Sequence, residues 1–287
     1  MQSMNRTPIL LDTDLGCNLD GLLTLSYLLC KPECELIGIT TNNGDTKLRA
    51  AVAQCICQSL NHPSVAIHEG AAKPIMYGAV PTQYTPLTHV PELKVLKESR
   101  TQAQYSAVSF MRDTIRNRPG EITLITSGPL MNIALLFTID PEIPFLLKDF
   151  ITAAGSFMTN NNEERNSQFD PLATLLISRI KRSRHVWLGL DIAKSCKISP
   201  SELPQSSITQ LCHQLTPQVT TGGEESLQST SAAISIFHPE FFEYRAGMVN
   251  VTERKGKTRF DGSSGVDHIA TFVDSVKVVE ELIKTIA

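Results

Sequence analysis

ILLDTDLGCNLDGLLTLSYLL, residues 9–29, decides how the rest of the chain is read. An apolar run ends in Asp12 and Asp14, turns through Gly16, meets Asp20 and becomes apolar again. A short apolar run bounded by turn residues reads as a buried strand, and a longer one at helical spacing as a helix. The stretch is thus a strand-to-helix turn carrying three carboxylates. Such carboxylates either cap the turn and the helix N-terminus or gather a hard cation or a polyol.

The pattern repeats outward from this turn. CELIGITTN, SVAIHEG, EITLITSG, FITAAGSF and HVWLGLDI read as strands. GLLTLSYLLCK, TKLRAAVAQCICQSL, YSAVSFMRDTIRNR, PLMNIALLFTI and DPLATLLISRI read as helices between them. SELPQSSITQLCHQLTPQVTTGGEESLQSTSAAISIF reads as helical elements with a polar loop inside. Alternation of this kind predicts an α/β fold: a Rossmann-like, open, mostly parallel sheet with helices on both faces. There is no repeat, linker or low-complexity tract, so a single domain spanning residues 1–287 is expected. Ligands of open parallel sheets bind beyond the carboxyl ends of the strands. The polar residues expected there are Asp12, Asp14, Thr40, Thr41, Asn42, Asn43, Asp45, Thr126, Ser127, Ser156 and Asp191. Oxygen and amide groups in that number suit a hard cation or a sugar better than a thiolate metal.

Composition narrows the function classes. The chain has 287 residues, 41% of them apolar, and a formal net charge of −3. No basic stripe supports nucleic-acid binding. No segment reaches membrane-span length, and the N-terminal residues form no signal-peptide core, so a cytoplasmic protein is expected. Seven cysteines follow no metal-finger spacing and read as reduced, mostly buried thiols. The seven histidines show no H-x-x-x-H pairing and read as structural or surface groups, and Trp187 as core packing.

The ordered motifs resemble those of the inosine-uridine-preferring nucleoside hydrolases. The opening turn is similar to that family's Asp-x-Asp-x-Gly turn with two adjacent aspartates after it. GITTNNGD, EGAAKPI, ITLITSGPLMNIAL, EERNSQFDPLA and LGLDIAKS follow in the family's order, from residue 9 to about 195. The resemblance implies a nucleoside hydrolase-like fold and hydrolysis of the N-glycosidic bond of a ribonucleoside or related N-riboside, giving free base and ribose. It also implies a calcium ion that binds the catalytic water and the ribose hydroxyls, and a homo-oligomer, dimer or tetramer.

Carried over residue by residue, the resemblance makes Asp14 both a metal ligand and the acceptor of the water's proton. Ser127 stands where the family offers a backbone carbonyl to calcium. A gapless match puts Asn18 and Leu19 at the two adjacent aspartates; a turn one residue longer puts Asp20 and Gly21 there. The longer turn keeps a carboxylate, so Asp20 is taken as a ribose binder and the helix is expected to start at that residue. On either match the bidentate metal-binding aspartate is missing. Asp45 replaces an Asn and adds a charge, and is taken as a weak metal ligand that partly replaces the lost carboxylate. Glu164 and Asn166 match a sugar-binding Glu-x-Asn pair, with Arg165 in place of an aromatic or apolar residue. Asn160, with Asn161 and Asn162 beside it, falls near the asparagine that meets the ribose 5′-hydroxyl. Gln228 and Ser229 stand at a C-terminal His-Asp pair; Ser229 is a weak neutral ligand, and Gln228 cannot serve as a general acid near pH 7.

The expectation is therefore a divergent active site with a degenerate calcium site, calcium being bound weakly or not at all. A non-catalytic descendant that binds a ligand or partner is the alternative. An Asp-x-Asp turn also opens haloacid-dehalogenase-type phosphatases, but those need a Lys before a later acidic pair. Here Asp191 precedes Lys194, the reverse order.

Overall fold

The computed structural model describes residues 6–76, 90–100, 106–158, 164–180, 182, 184–216, 223–263 and 265–287. The strands are β1 (Thr7–Thr13), β2 (Cys34–Thr41), β3 (Ala66–Glu69), β4 (Thr123–Ser127), β5 (Asp149–Thr152) and β6 (His185–Trp187), followed by β7 (Lys197–Ile198) and β8 (Glu225–Ser226). β9 (Phe242–Val251), β10 (Thr258–Asp261) and β11 (Asp267–Val273) complete the set.

Among the described residues, nine strands form one sheet in the order β10-β9-β11-β6-β5-β4-β1-β2-β3. From β3 to β11 every neighbouring pair is parallel; β9 and β10 add an antiparallel edge. β7 and β8 pair separately, antiparallel.

Side chains of β1 show why both faces are covered. Ile9 and Leu11 point into one apolar cluster and Leu10 into the other, as a strand's period of two requires. The first cluster takes helices Leu19–Cys30, Thr46–Ser59, Gln228–Phe237 and Ser275–Ile286. The second takes Ala107–Asn117, Met131–Ile139 and Pro171–Arg179. Helix Leu19–Cys30 is buried from Leu19 to Leu29 because other helices enclose its outer face.

Chain order reverses at β1: β2 and β3 lie to one side, β4 to β6 to the other. That switch leaves a crevice beyond the carboxyl ends of β1 and β4, whose last residues, Thr13 and Ser127, are register partners.

Three local readings are corrected. The helix expected to start at Asp20 begins at Leu19, capped by Asn18, whose side chain accepts from the Gly21 N–H at 3.2 Å. The strand expected through HVWLGLDI stops at Trp187, and Asp191 sits in the helical turn Leu190–Ala193. There Asp191 accepts from the Phe157 N–H at 3.1 Å and from the Met158 N–H. The helix Pro91–Ser99 and the strands β9 to β11 were not anticipated. The helix buries only Leu93, and β9 and β10 form an edge whose burial does not alternate cleanly.

Candidate active site

The turn after β1 is built from inside. Gly16 adopts φ 87°, a conformation glycine reaches without steric cost. Arg49, fully buried on helix Thr46–Ser59, donates to the carbonyls of Asp14, Leu15 (2.8 Å) and Asn43 (2.5 Å). Asp12 accepts from Thr40 Oγ1 at 2.6 Å, Asn132 Nδ2 at 2.7 Å and Asn42 Nδ2 at 2.8 Å. Burial pushes the Asp12 carboxyl up to about 6 despite these donors. Asp12 is thus enclosed within the strand ends, while Asp14 faces outward.

Asp14, Asp20, Ser127, Glu164, Asn166 and Ser229 line one cavity of about 230 Å³ beyond the strand ends, together with Gln228. Asp14 Oδ2 accepts from Asn43 Nδ2 at 3.0 Å and from Cys17 Sγ at 3.6 Å, and Arg165 Nη2 lies 3.9 Å away. Arg165 also donates to Cys17 Sγ at 3.3 Å. Burial, and then the Asp14 charge, hold the Cys17 thiol above its ordinary range, so it is the thiol that faces the carboxylate.

The other carboxylates at the cavity carry structural bonds. Asp20 accepts from the backbone N–H groups of Ser229 (2.7 Å) and Thr230 (3.0 Å) and from Thr230 Oγ1 (2.7 Å). It thereby closes the first turn of helix Gln228–Phe237, whose own N-cap, Leu227, offers no side-chain cap. Glu164 caps helix Arg165–Phe169 through the N–H groups of Asn166 (2.8 Å) and Ser167 (2.9 Å), and also accepts from the Gly155 N–H (2.9 Å). Burial raises both carboxyls. Asn166 donates to the Ala153 carbonyl at 2.8 Å, Gln228 to the Leu188 carbonyl at 3.0 Å, and Ser127 Oγ to Thr13 Oγ1 at 2.8 Å.

Asp45 is not among the residues lining this cavity. It caps helix Thr46–Ser59 through the Leu48 N–H at 3.0 Å and pairs with Lys97 at 2.5 Å. Asn160, Asn161 and Asn162 lie outside the described residues.

Sequence reasoning missed Arg49, Asn132, Glu225 and Cys17. A lone Arg in the otherwise apolar face of TKLRAAVAQ was the available signal for Arg49. Glu225, on β8, lines the same cavity; burial, and then the nearby Asp20 charge, raise its carboxyl. Nothing in the sequence around it marks that position.

These residues do not fit a divalent cation. Hard cations need several free oxygen ligands, most of them charged. Asp20 spends its oxygens on a helix end, Ser229 is neutral, burial and the Asp20 charge raise the Glu225 carboxyl, and Asp14 faces a guanidinium. Among the described residues, no group of three or more His, Cys, Asp or Glu side chains is arranged to hold a metal ion. No helix among them is long and apolar enough to cross a membrane, and all seven cysteines are free.

The model of the inosine-uridine preferring nucleoside hydrolase family matches residues 9–282. Uridine nucleosidase 1 of Arabidopsis thaliana is 24% identical over 265 residues, covering 85% of this chain and 77% of that protein. The non-specific ribonucleoside hydrolase RihC of Escherichia coli is 26% identical over 261 residues, covering 86% and 84%. Among solved structures, the purine-preferring ribonucleoside hydrolase from Gardnerella vaginalis superposes with a TM-score of 0.81 at 21% identity, over 98% of each chain.

Proposed function

Since the chain belongs to the inosine-uridine preferring nucleoside hydrolase family, we propose that it hydrolyses the N-glycosidic bond of a ribonucleoside or related N-riboside, using the Asp14 cavity. The observation that carries this reading is the meeting of Asp14, Ser127 and Asn166 at one crevice beyond the strand ends, although they lie far apart in sequence. Named relatives supply the substrate class: a uridine nucleosidase and a non-specific ribonucleoside hydrolase.

In this reading the ribose lies against Asn166 and Glu164. Asp14 takes a proton from a water as the water's oxygen bonds to the anomeric carbon. The carbon–nitrogen bond breaks, and the base leaves with the electron pair. The sugar becomes cationic as the bond stretches, and a carboxylate in a desolvated cavity stabilises that charge. The divergent calcium site takes no step here. The whole chain is read as one nucleoside hydrolase-like domain acting in the cytoplasm as a dimer or tetramer.

Protonation of the leaving base sets the substrate range. Gln228 is no general acid, and its amide is engaged by the Leu188 carbonyl. General acid catalysis contributes ~10²–10⁴-fold, so its loss falls hardest on poor leaving groups. The test assays inosine, uridine and nitrophenyl riboside beside Asp14→Ala. The expected result is faster turnover of the nitrophenyl riboside than of inosine, and loss of both in the variant. Equal, fast turnover of inosine and the nitrophenyl riboside would show that another acid, such as the cavity-lining Glu225, protonates the base. A second reading, a non-catalytic ligand binder, draws on the structural bonds that occupy Asp20 and Glu164. Ribose binding with no turnover of any substrate would favour it.

A further inference from the structure

The cavity pairs an outward carboxylate with a cation of its own. Asp14 Oδ2, Cys17 Sγ and Arg165 Nη2 form a closed triangle with edges of 3.6, 3.3 and 3.9 Å. Burial works against the Arg165 charge, but the Asp14 carboxylate and the neighbouring Cys17 raise its basicity overall, so the guanidinium is permanently charged. Its side chain keeps 48% of its surface exposed, whereas that of Asp14 keeps 12%. The guanidinium therefore covers the carboxylate from the solvent side with N–H groups to spare. The chain supplies Arg at this place beside the Asp14 carboxylate, together with Ser229 rather than an acid and an Asp20 turned into a helix end.

We propose that Arg165 is the resident cation of this site, balancing Asp14 in place of a divalent metal, and that it binds the vicinal hydroxyls of a ribosyl ligand without any metal. The identity of the ligand rests on the nucleoside hydrolase reading above; the charge replacement does not. A guanidinium donates from two N–H groups in one plane, which matches two adjacent hydroxyl oxygens. A cation fixed 3.9 Å from Asp14 also repels a second cation from the same carboxylate. Removing it should free that carboxylate for an added ion.

Calorimetry on the full chain, stripped with chelator, tests the proposal with calcium chloride and with inosine as probes. The wild type should bind inosine equally well with chelator or with calcium present. Arg165→Met should lose inosine affinity at least about tenfold and gain calcium affinity by at least about tenfold, since affinity for hard cations follows the net charge of the ligand set. Arg165→Lys should keep calcium excluded while recovering only part of the inosine affinity, because a point charge lacks the planar pair of donors. Thermal melts check folding; the half-exposed Arg165 should leave them near the wild type. Calcium-dependent inosine binding by the wild type, or equal calcium affinity in wild type and Arg165→Met, would overturn the proposal. If the wild type turns over no riboside, the calcium comparison still stands, so failure of the hydrolase reading is distinguishable.

Discussion

Gly128, one residue past β4, has no space for a side chain. A Cβ there would lie 2.8 Å from the Asp14 backbone nitrogen and 3.0 Å from Asn42 Oδ1. Neither neighbour yields freely: Asn42 is committed to Asp12 at 2.8 Å, and Arg49 pins the Asp14 carbonyl. Gly128→Ala should therefore displace Asp14. Misplacement of about 1 Å can cost on the order of 10²-fold in rate. The expected outcome is a fall of at least about tenfold in kcat on nitrophenyl riboside. Gly223→Ala is the control, since an added Cβ there meets no atom within 4 Å. Unchanged turnover in Gly128→Ala would mean that the turn accommodates the methyl without moving Asp14.

At the scale of elements, the helix Gln228–Phe237 depends on a residue of a distant helix. Two of its N-terminal N–H groups, those of Ser229 and Thr230, are satisfied by Asp20. Loss of a helix cap costs ~0.5–2 kcal/mol, and leaving buried donors unpaired adds ~1–3 kcal/mol. Asp20→Ala should therefore lower stability by about 2–3 kcal/mol in urea or guanidinium unfolding. Asp20→Asn, which keeps one acceptor oxygen, should lose less. A full-strength fold in Asp20→Ala, with ligand binding lost, would return Asp20 to the role of ribose binder. The sequence presents Asp20 as an acid in the first turn of its own helix; its partners lie more than 200 positions later, where no local pattern connects them.

At the scale of the molecule, β11 is where the parallel sheet meets its antiparallel edge, and a buried network ties the two. Asp267 accepts from Trp187 Nε1 at 3.0 Å, from the Val249 N–H at 2.8 Å and from Arg182. His185 Nδ1 lies 3.4 Å from the same carboxylate, and its Nε2 is 2.7 Å from Thr152 Oγ1. Burial, and then the Arg182 charge, push His185 down to about 3, well below its ordinary 6.5. The folded state therefore binds fewer protons than the unfolded state between these values. This contribution is full above about 6.5 and is lost as pH falls toward about 3. Comparing wild type with His185→Gln by chemical denaturation, the wild type should lose up to ~1.4 kcal/mol more per pH unit as pH drops from about 6 to 4. Parallel pH profiles would show that His185 is charged in the folded protein.

The β-α alternation, the Asp-x-Asp-x-Gly turn and the placement of Ser127 at the carboxyl end of a strand were legible in the sequence. Each is a local consequence of apolar period, turn chemistry and strand length, which neighbouring residues alone impose. The order of the motifs was legible too, and with it the family. The use of each carboxylate was not. Asp14, Asp20, Asp45 and Glu164 are the same chemistry in sequence, but the fold turns one toward a cavity and an arginine and three toward helix ends with their donors, one of these, Asp45, pairing with Lys97 as well. A carboxylate's role is set by which donors and charges reach it through space. Those come from residues such as Arg49, Arg165 and Thr230, which only the packed chain brings together.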